Sequence, residues 1–319
     1  MYRIGVDLGG TNIVAGVVDE NYNIVGRGSV KTRTPRPTEN ILEDIKESIR
    51  LSVQNARIDW SEVKSIGIGT PGTVNIAEGI IEYANNLDFD NVPIKQIMED
   101  EFHLPVYIEN DANCAALGEA IAGAGHGVDD FMAITLGTGV GSGIVIGGKL
   151  VHGCNDAAGE IGHMVIKFGG ERCTCGRRGC WEAYASATAL IRQTQDAMSK
   201  NFDTVMWDMV SEDIRNVTGT TAFEAMREND KVGRDVVNNY IYYVSVGIIN
   251  IINIFQPKIL CIGGGIGNEG EALLSPIRYY VKNERYSIYA KNQTYICAAV
   301  LGNDAGVIGA AILDEQFED

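Results

Sequence analysis

Residues 2–18, YRIGVDLGGTNIVAGVV, and residues 131–146, FMAITLGTGVGSGIVI, carry one pattern twice in the same chain. In the first, Ile4, Val6 and Leu8 alternate as on a strand, a Gly-Thr turn follows, and 13–19 reads as a returning strand. In the second, a strand at 131–136 runs into a Gly-rich turn and then a strand at 143–147. The turns align as Gly10-Thr11-x4-Gly16-Val17-Val18 and Gly137-Thr138-x4-Gly143-Ile144-Val145, an internal echo of one core motif. Glycine lets backbone N–H groups approach phosphate oxygens, and threonine adds a hydroxyl donor. Either turn alone also reads as a tight hairpin. The two together, with GGGIG at 263–267 after a late strand, point to nucleotide phosphates held between two lobes.

Other phosphate-binding designs are excluded. There is no GxxxxGK[ST], and each glycine turn leads into a strand rather than the helix of a dinucleotide fingerprint. Asp7, at the end of the first strand, suits Mg²⁺-bound water near the phosphates; the alternative is a turn-capping aspartate.

Around these turns the spacing predicts a strand at 23–30, then a helix from Thr38, read as its N-cap, to about Ala56, with Ile41, Leu42, Ile45, Ile49 and Val53 on one face. Strands follow at 65–69 and 105–108, and a helix at about 112–124. Residues 183–255 read as mostly helical, and VSVGIINIINIF (244–255) as a buried helix, too short for a membrane span. A strand at 258–262, a helix at 269–283, a strand at 295–299 and a final helix near 305–317 complete the pattern. The 319 residues, 45% hydrophobic and 21% charged, suffice for a large core. The net charge of −16 argues against nucleic-acid or anionic-membrane partners. The start MYRIGVDLGG lacks a signal-peptide pattern, so a cytoplasmic location is expected, where disulfides are rare.

Three further stretches carry chemistry. In ENDANCAALGE (109–119), Asn110 and Asp111 stand where a strand gives way to a helix. A carboxylate there can take a proton from a hydroxyl attacking phosphorus; the alternative is a helix cap. In AAGEIGH (157–163) and at Trp181-Glu182, the polar groups Glu160, His163 and Glu182 flank a cysteine cluster. That cluster, in HMVIKFGGERCTCGRRGC (163–180), reads as a disulfide staple, a metal site or chance. Cys114, Cys154, Cys261 and Cys297 read mostly as core residues, and His103, His126 and His152 as surface or structural ones.

DLGGTN, GTPG (69–72), ENDANCAALGE, LGTGVGSG (136–143), AGEIGH and CTCGRRGCWE (173–182) occur in the order seen in the ROK family (repressor, open reading frame, kinase), which the chain resembles along almost its whole length. The resemblance is strongest to the family's bacterial glucokinases. It implies the α/β two-lobed actin-like ATPase (ribonuclease H-like) fold with a cleft between lobes. Residues 1–115 would form the N-terminal lobe, joined by a C-terminal helix at 304–319, and residues 116–303 a larger lobe with a zinc-binding loop. It implies ATP-dependent phosphorylation of D-glucose to glucose 6-phosphate, with Mg²⁺ and in a homo-oligomer, dimer or tetramer. In that reading Asp111 is the base, and Gly72, Asn86, Asn110, Glu160, His163 and Glu182 bind the sugar. ATP is held by Asp7, Gly9, Gly10, Thr11, Asn12, Thr138, Gly139, Gly264 and Gly265.

The family's zinc positions fall on His163, Cys173, Cys175 and Cys180, a three-thiolate, one-imidazole set with no open place for substrate, so the metal is structural. The other His163 nitrogen is then left for the sugar. Two alternatives stay within the resemblance: a kinase for fructose, mannose, allose, N-acetylglucosamine or N-acetylmannosamine, and a sugar-sensing repressor. The repressor needs a helix-turn-helix ahead of the DLGGTN strand, and here that strand begins at residue 2.

Overall fold

The structure, a computed structural model, describes residues 1–84 and 87–317; Asn86, expected on the sugar, lies outside them. From the amino-terminal side the elements are β1 (Tyr2–Leu8), β2 (Asn12–Val18), β3 (Ile24–Lys31), α1 (Thr38–Ala56), β4 (Val63–Thr70), β5 (Thr73–Asn75), β6 (Ile80–Ala84), β7 (Phe89–Val92), α2 (Ile94–Phe102), β8 (Val106–Asn110) and α3 (Asp111–Ala122). Then come β9 (Phe131–Leu136), β10 (Val140–Ile146), β11 (Lys149–Leu150), α4 (Glu182–Ala185), α5 (Ala187–Met198), α6 (Met206–Met209), α7 (Thr221–Arg227), α8 (Lys231–Phe255), β12 (Ile259–Gly263), α9 (Glu271–Glu284), β13 (Tyr295–Ala298), α10 (Asp304–Ala311) and α11 (Asp314–Phe317).

One five-stranded sheet has the order β3-β2-β1-β4-β8 and another the order β11-β10-β9-β12-β13, so both echoed hairpins sit in equivalent mixed sheets. The chain divides into two compact units, one of residues 1–133, 143–159 and the segment from Val300 on, the other of residues 134–142 and 160–299. The boundary expected at 115/116 falls inside α3, and the first unit runs on to Ala133. No helix among the described residues is long and apolar enough to cross a membrane.

In the first unit, β1 is flanked by antiparallel β2 and parallel β4, and β4 by parallel β8. Ile4, Val6, Leu8, Ile13, Val17, Ile66, Ile68 and Ile108 are buried in its core. Helix α1 presents Ile41, Ile45, Ile49 and Val53 to the same core. Its cap differs from expectation: Pro37 holds the N-cap position and Thr38 is already helical, with no side-chain cap bond. Proline's fixed φ starts the helix without a hydroxyl cap. The segment 73–102 shows too little alternation to be read in advance; it forms the antiparallel sheet β5-β6-β7 and helix α2.

The first unit is closed by the last part of the chain. Helix α10 lies on β1, β4 and α3 at backbone-to-backbone range, which only glycine permits. A Cβ added at Gly5 would stand 1.8 Å from the Val307 carbonyl oxygen, and one at Gly309 would stand 1.7 Å from that of Cys114. The final helix is broken rather than continuous to 317, because Asp314 turns inward to Arg3 (2.9 Å) and Lys64 (2.7 Å) in a buried ion-paired cluster.

In the second unit, Asp230 caps α8 by accepting from Gly233 N (2.6 Å), and α8 buries Val237, Tyr240, Val244, Ile248 and Ile252. Gly247 leaves room for the fully buried Trp181 ring, whose Nε1 donates to the Tyr243 carbonyl (2.8 Å). That anchor fixes the start of α4, and with it Glu182.

Overpacking at the α10 contact has a measurable cost. Gly309→Ala is expected to lower unfolding free energy by about 1–3 kcal/mol. Gly137→Ala, where an added Cβ meets nothing within 4 Å, is expected to stay within about 0.5 kcal/mol of the parent. Urea titration of both variants checks this.

Candidate active site

In the first unit the site grows from strand ends. Parallel pairing sets Asp7 of β1 beside Gly69 of β4, and Gly69 beside Glu109 of β8, so three parallel strands finish in line. Ligands of open α/β sheets bind at such carboxyl ends. After β1 the Gly-Thr turn closes with Gly9 N donating to the Asn12 carbonyl (3.0 Å), while Thr32 Oγ1 donates to the Gly9 carbonyl (2.6 Å). After β4, Gly72 takes φ +90°, and a Cβ there would stand 2.0 Å from the Tyr83 carbonyl oxygen. After β8 the chain enters α3. Asn110 is the N-cap: its Oδ1 accepts from Ala112 N (2.9 Å) and Asn113 N (3.3 Å), and its Nδ2 donates to the Gly72 carbonyl (3.4 Å). The cap role considered for Asp111 thus belongs mainly to Asn110.

Asp111 is the first helical residue, and one of its oxygens accepts from Ala112 N (2.8 Å). Burial raises its pKa above the usual carboxylate value, against the pull of the Ala112 and Asp111 amides. Asp7 is raised further, to about 6, by burial and then by the charge of Asp111. The structure therefore brings Asp7, Asn110, Asp111 and Gly72 together.

Two residues here were not singled out from the sequence. Glu109 is fully buried, with its Oε1 accepting from Asn110 N (2.7 Å) and Asn113 Nδ2 (2.9 Å). His152 places Nε2 2.6 Å from Glu109 Oε2. The pairing links positions 43 apart in sequence, and no local pattern signals it.

In the second unit, Gly137 N donates to the Gly139 carbonyl (3.0 Å), Thr188 Oγ1 to the Thr138 carbonyl (2.8 Å) and Val140 N to Glu182 Oε2 (3.1 Å). Gly264, just past β12, packs on the Leu136 backbone, so the turns at 137–139 and 264–265 lie at the ends of neighbouring strands. Glu160 is exposed and precedes the short 3₁₀ turn Ile161–His163. His163 Nδ1 lies 3.6 Å from Cys173 Sγ, and Cys175 Sγ lies 3.6 Å from Cys180 Sγ.

All four ligand atoms of His163, Cys173, Cys175 and Cys180 fall within 4.8 Å of one another. Zn–S bonds of about 2.3 Å in a tetrahedron set S···S near ~3.8 Å, so the donor set fits a closed zinc site. A disulfide does not fit, since the 3.6 Å between Cys175 Sγ and Cys180 Sγ is far beyond an S–S bond. His163 Nε2 points the other way, 4.0 Å from Glu160 Oε2. Glu182 Oε1 accepts from Thr174 Oγ1 (3.2 Å), so one carboxylate ties the cysteine loop to the turn at 137–140.

The ROK family profile matches residues 3–316. The chain belongs to the ROK family. Its fold is the family's two-lobed α/β actin-like ATPase fold. It is 36% identical over 321 residues to a glucokinase of Halalkalibacterium halodurans, covering 100% of this chain and 96% of that protein. It is 37% identical to a glucokinase of Streptomyces coelicolor, covering 98% of this chain and 97% of that one. The crystal structure of a ROK glucokinase from Streptomyces griseus in complex with glucose and AMPPNP superposes with TM-score 0.82 at 36% identity, covering 98% of this chain and 99% of that one.

The paired aspartates of this ROK chain make stability depend on pH. A carboxyl raised in the folded state contributes fully below its unfolded value, 3.8, and that contribution is lost as pH rises through about 6. Asp7→Asn removes the loss. Its stability advantage over the parent, without ligands, is expected to grow by about 2 kcal/mol between pH ~4.5 and ~7.5. Chemical unfolding at the two pH values measures it.

Proposed function

We propose that the chain transfers the γ-phosphoryl group of ATP to the 6-hydroxyl of D-glucose, giving glucose 6-phosphate. The observation that carries this reading is Asp111. It is a half-buried carboxylate with raised pKa at the carboxyl end of β8, close enough to Asp7 of β1 to raise that carboxyl too, in a chain that aligns over its full length with glucokinases. A base whose pKa is lifted towards the working pH removes a hydroxyl proton more effectively while still ionised. Asp111 takes the proton from the sugar 6-hydroxyl as that oxygen attacks phosphorus. Asn110, fixed by its own capping bonds, and the carbonyl side of Gly72 bind neighbouring hydroxyls from the first unit.

The family resemblance assigns Glu160, the Nε2 side of His163 and Glu182 as further hydroxyl ligands. Glu182 has lone pairs to spare, since a carboxylate offers about four acceptor sites. The family resemblance assigns the turns at 9–12, 137–139 and 264–265 to the ATP phosphates, and Asp7 would help to hold Mg²⁺. The Mg²⁺ supplies charge neutralisation for the transferring group. Zinc would be held by His163 Nδ1, Cys173, Cys175 and Cys180, and would supply a cross-link for the loop between Glu160 and Glu182 and no reaction step.

Steady-state kinetics with MgATP on glucose, mannose, fructose, N-acetylglucosamine and N-acetylmannosamine test the reading. Glucose is expected to give the highest kcat/KM, and 6-deoxyglucose to inhibit competitively without reacting. An N-acetylhexosamine better than glucose by tenfold would overturn the glucose assignment and leave the kinase. Asp111→Asn is expected to lower kcat by about 10²–10⁴-fold with little change in glucose binding; retention of more than a tenth of kcat would reduce Asp111 to a structural role.

Metal analysis of protein never exposed to added zinc is expected to find about one Zn²⁺ per chain. Cys175→Ala should lose that metal and lower the melting temperature. A folded, active, zinc-free parent would refute the metal site.

A further inference from the structure

The proposed base sits in a tetrapeptide gripped from behind. Glu109 is fully buried, and a carboxylate inside a protein persists as an anion only when its lone pairs are occupied and its charge is offset. Oε1 accepts from Asn110 N (2.7 Å) on one side of Asp111 and from Asn113 Nδ2 (2.9 Å) on the other. Asn113 is itself buried. Glu109 thus clamps residues 110 and 113, and Asp111 lies between them.

Its other oxygen is held by His152. At 2.6 Å from Glu109 Oε2, Nε2 must carry the proton. The His152 carbonyl accepts from Ala158 N (2.9 Å), and its ring stacks on Phe317 (6.1 Å), which also stacks on Tyr107 of β8 (5.8 Å). The imidazole is therefore fixed independently of the carboxylate it serves.

The charges around the pair are mostly negative. His152 faces Glu109 and, on its own loop, Asp156, whose Oδ2 accepts from Ile76 N (3.0 Å). The hydrogen bond to Glu109, followed by the charges of Glu109 and Asp156, raises the pKa of His152 against the effect of burial. On the far side, burial first and then the charges of Glu109, Asp111 and Asp7 push the Cys114 thiol up, so three carboxylates share this end of the sheet.

We propose that the His152–Glu109 pair is a positioning device that fixes Asp111 for proton abstraction and offsets the negative charge around it, a role that rests on reading Asp111 as the base. With the cation removed, Glu109 is left as an uncompensated anion behind the Asn110–Asn113 turn, and Asp111 holds its own proton to higher pH.

The test is the pH dependence of kcat for the full chain and for His152→Gln, with saturating glucose and MgATP. Glutamine can still donate a hydrogen bond but carries no charge. The expected result is a kcat about tenfold lower near neutrality, a glucose KM within about threefold of the parent, and an acid limb moved to higher pH by about half a unit or more. His152→Lys, which restores a cation, should move the limb back. An acid limb coincident with the parent's, at any kcat, overturns the proposal while leaving Asp111 as the base. A parent that fails to phosphorylate glucose sinks the earlier reading and this one with it. Should the variants not fold, NMR titration of the His152 ring in the parent decides: titration above the free imidazole value of about 6.5 supports the pair, and titration below it overturns it.

Discussion

The first unit depends on the distance at which α10 crosses the sheet. Gly5 and Gly67 are register partners on adjacent parallel strands. Built Cβ atoms at these positions would each stand 1.8 Å from a carbonyl oxygen of α10, that of Val307 and that of Ala310. On its other side, α10 meets α3 through Gly118 and Gly309 in the same way. The contact thus sets the depth of α3, and with it where Asp111 stands at the head of that helix. It also walls in Asp7, because a Cβ at Gly306 would lie 3.2 Å from the Asp7 carboxyl carbon. Close packing and the burial that lifts Asp7 to about 6 have the same origin.

The second unit uses cross-linking by side chains where the first uses close packing. Trp181, seated against Gly247, fixes the start of α4. From there Glu182 reaches Val140 N with one oxygen and Thr174 Oγ1 with the other. The cysteine loop has little regular structure beyond the isolated bridges Val165–Cys180 and Arg172–Arg178. Its shape depends on the four-residue donor cluster and on backbone bonds such as Cys173 N to the Arg177 carbonyl (2.9 Å).

Much of this was legible in the sequence because its signals are local. The echoed strand-turn-strand motif, the apolar stripe of α1 and the C-x-C-x4-C spacing are each complete within a short window. What was not legible depends on residues far apart. Glu109 and His152 give no hint of their pairing, because the partner arrives from the loop after β11 and is braced by Phe317. The stop after α10 was hidden because 305–313 is apolar on all sides; the break is imposed by Arg3 and Lys64 drawing Asp314 inward. The short strands β5–β7 were missed because three to five residues hold too little alternation to register. At the head of α3, spacing alone could not say which of Asn110 and Asp111 caps the helix, and only geometry gives Asn110 the capping bonds.

The placement of α10 also bears on how the chain comes off the ribosome. Strand β1 emerges about 300 residues before the helix that covers it, roughly 15–60 s at ordinary elongation rates. Through that interval the glycine-lined face of β1 and β4 has no native cover, and by its end all the segments of the second unit have been synthesised. The order of maturation is therefore inverted relative to the order of synthesis: the unit begun first is completed last.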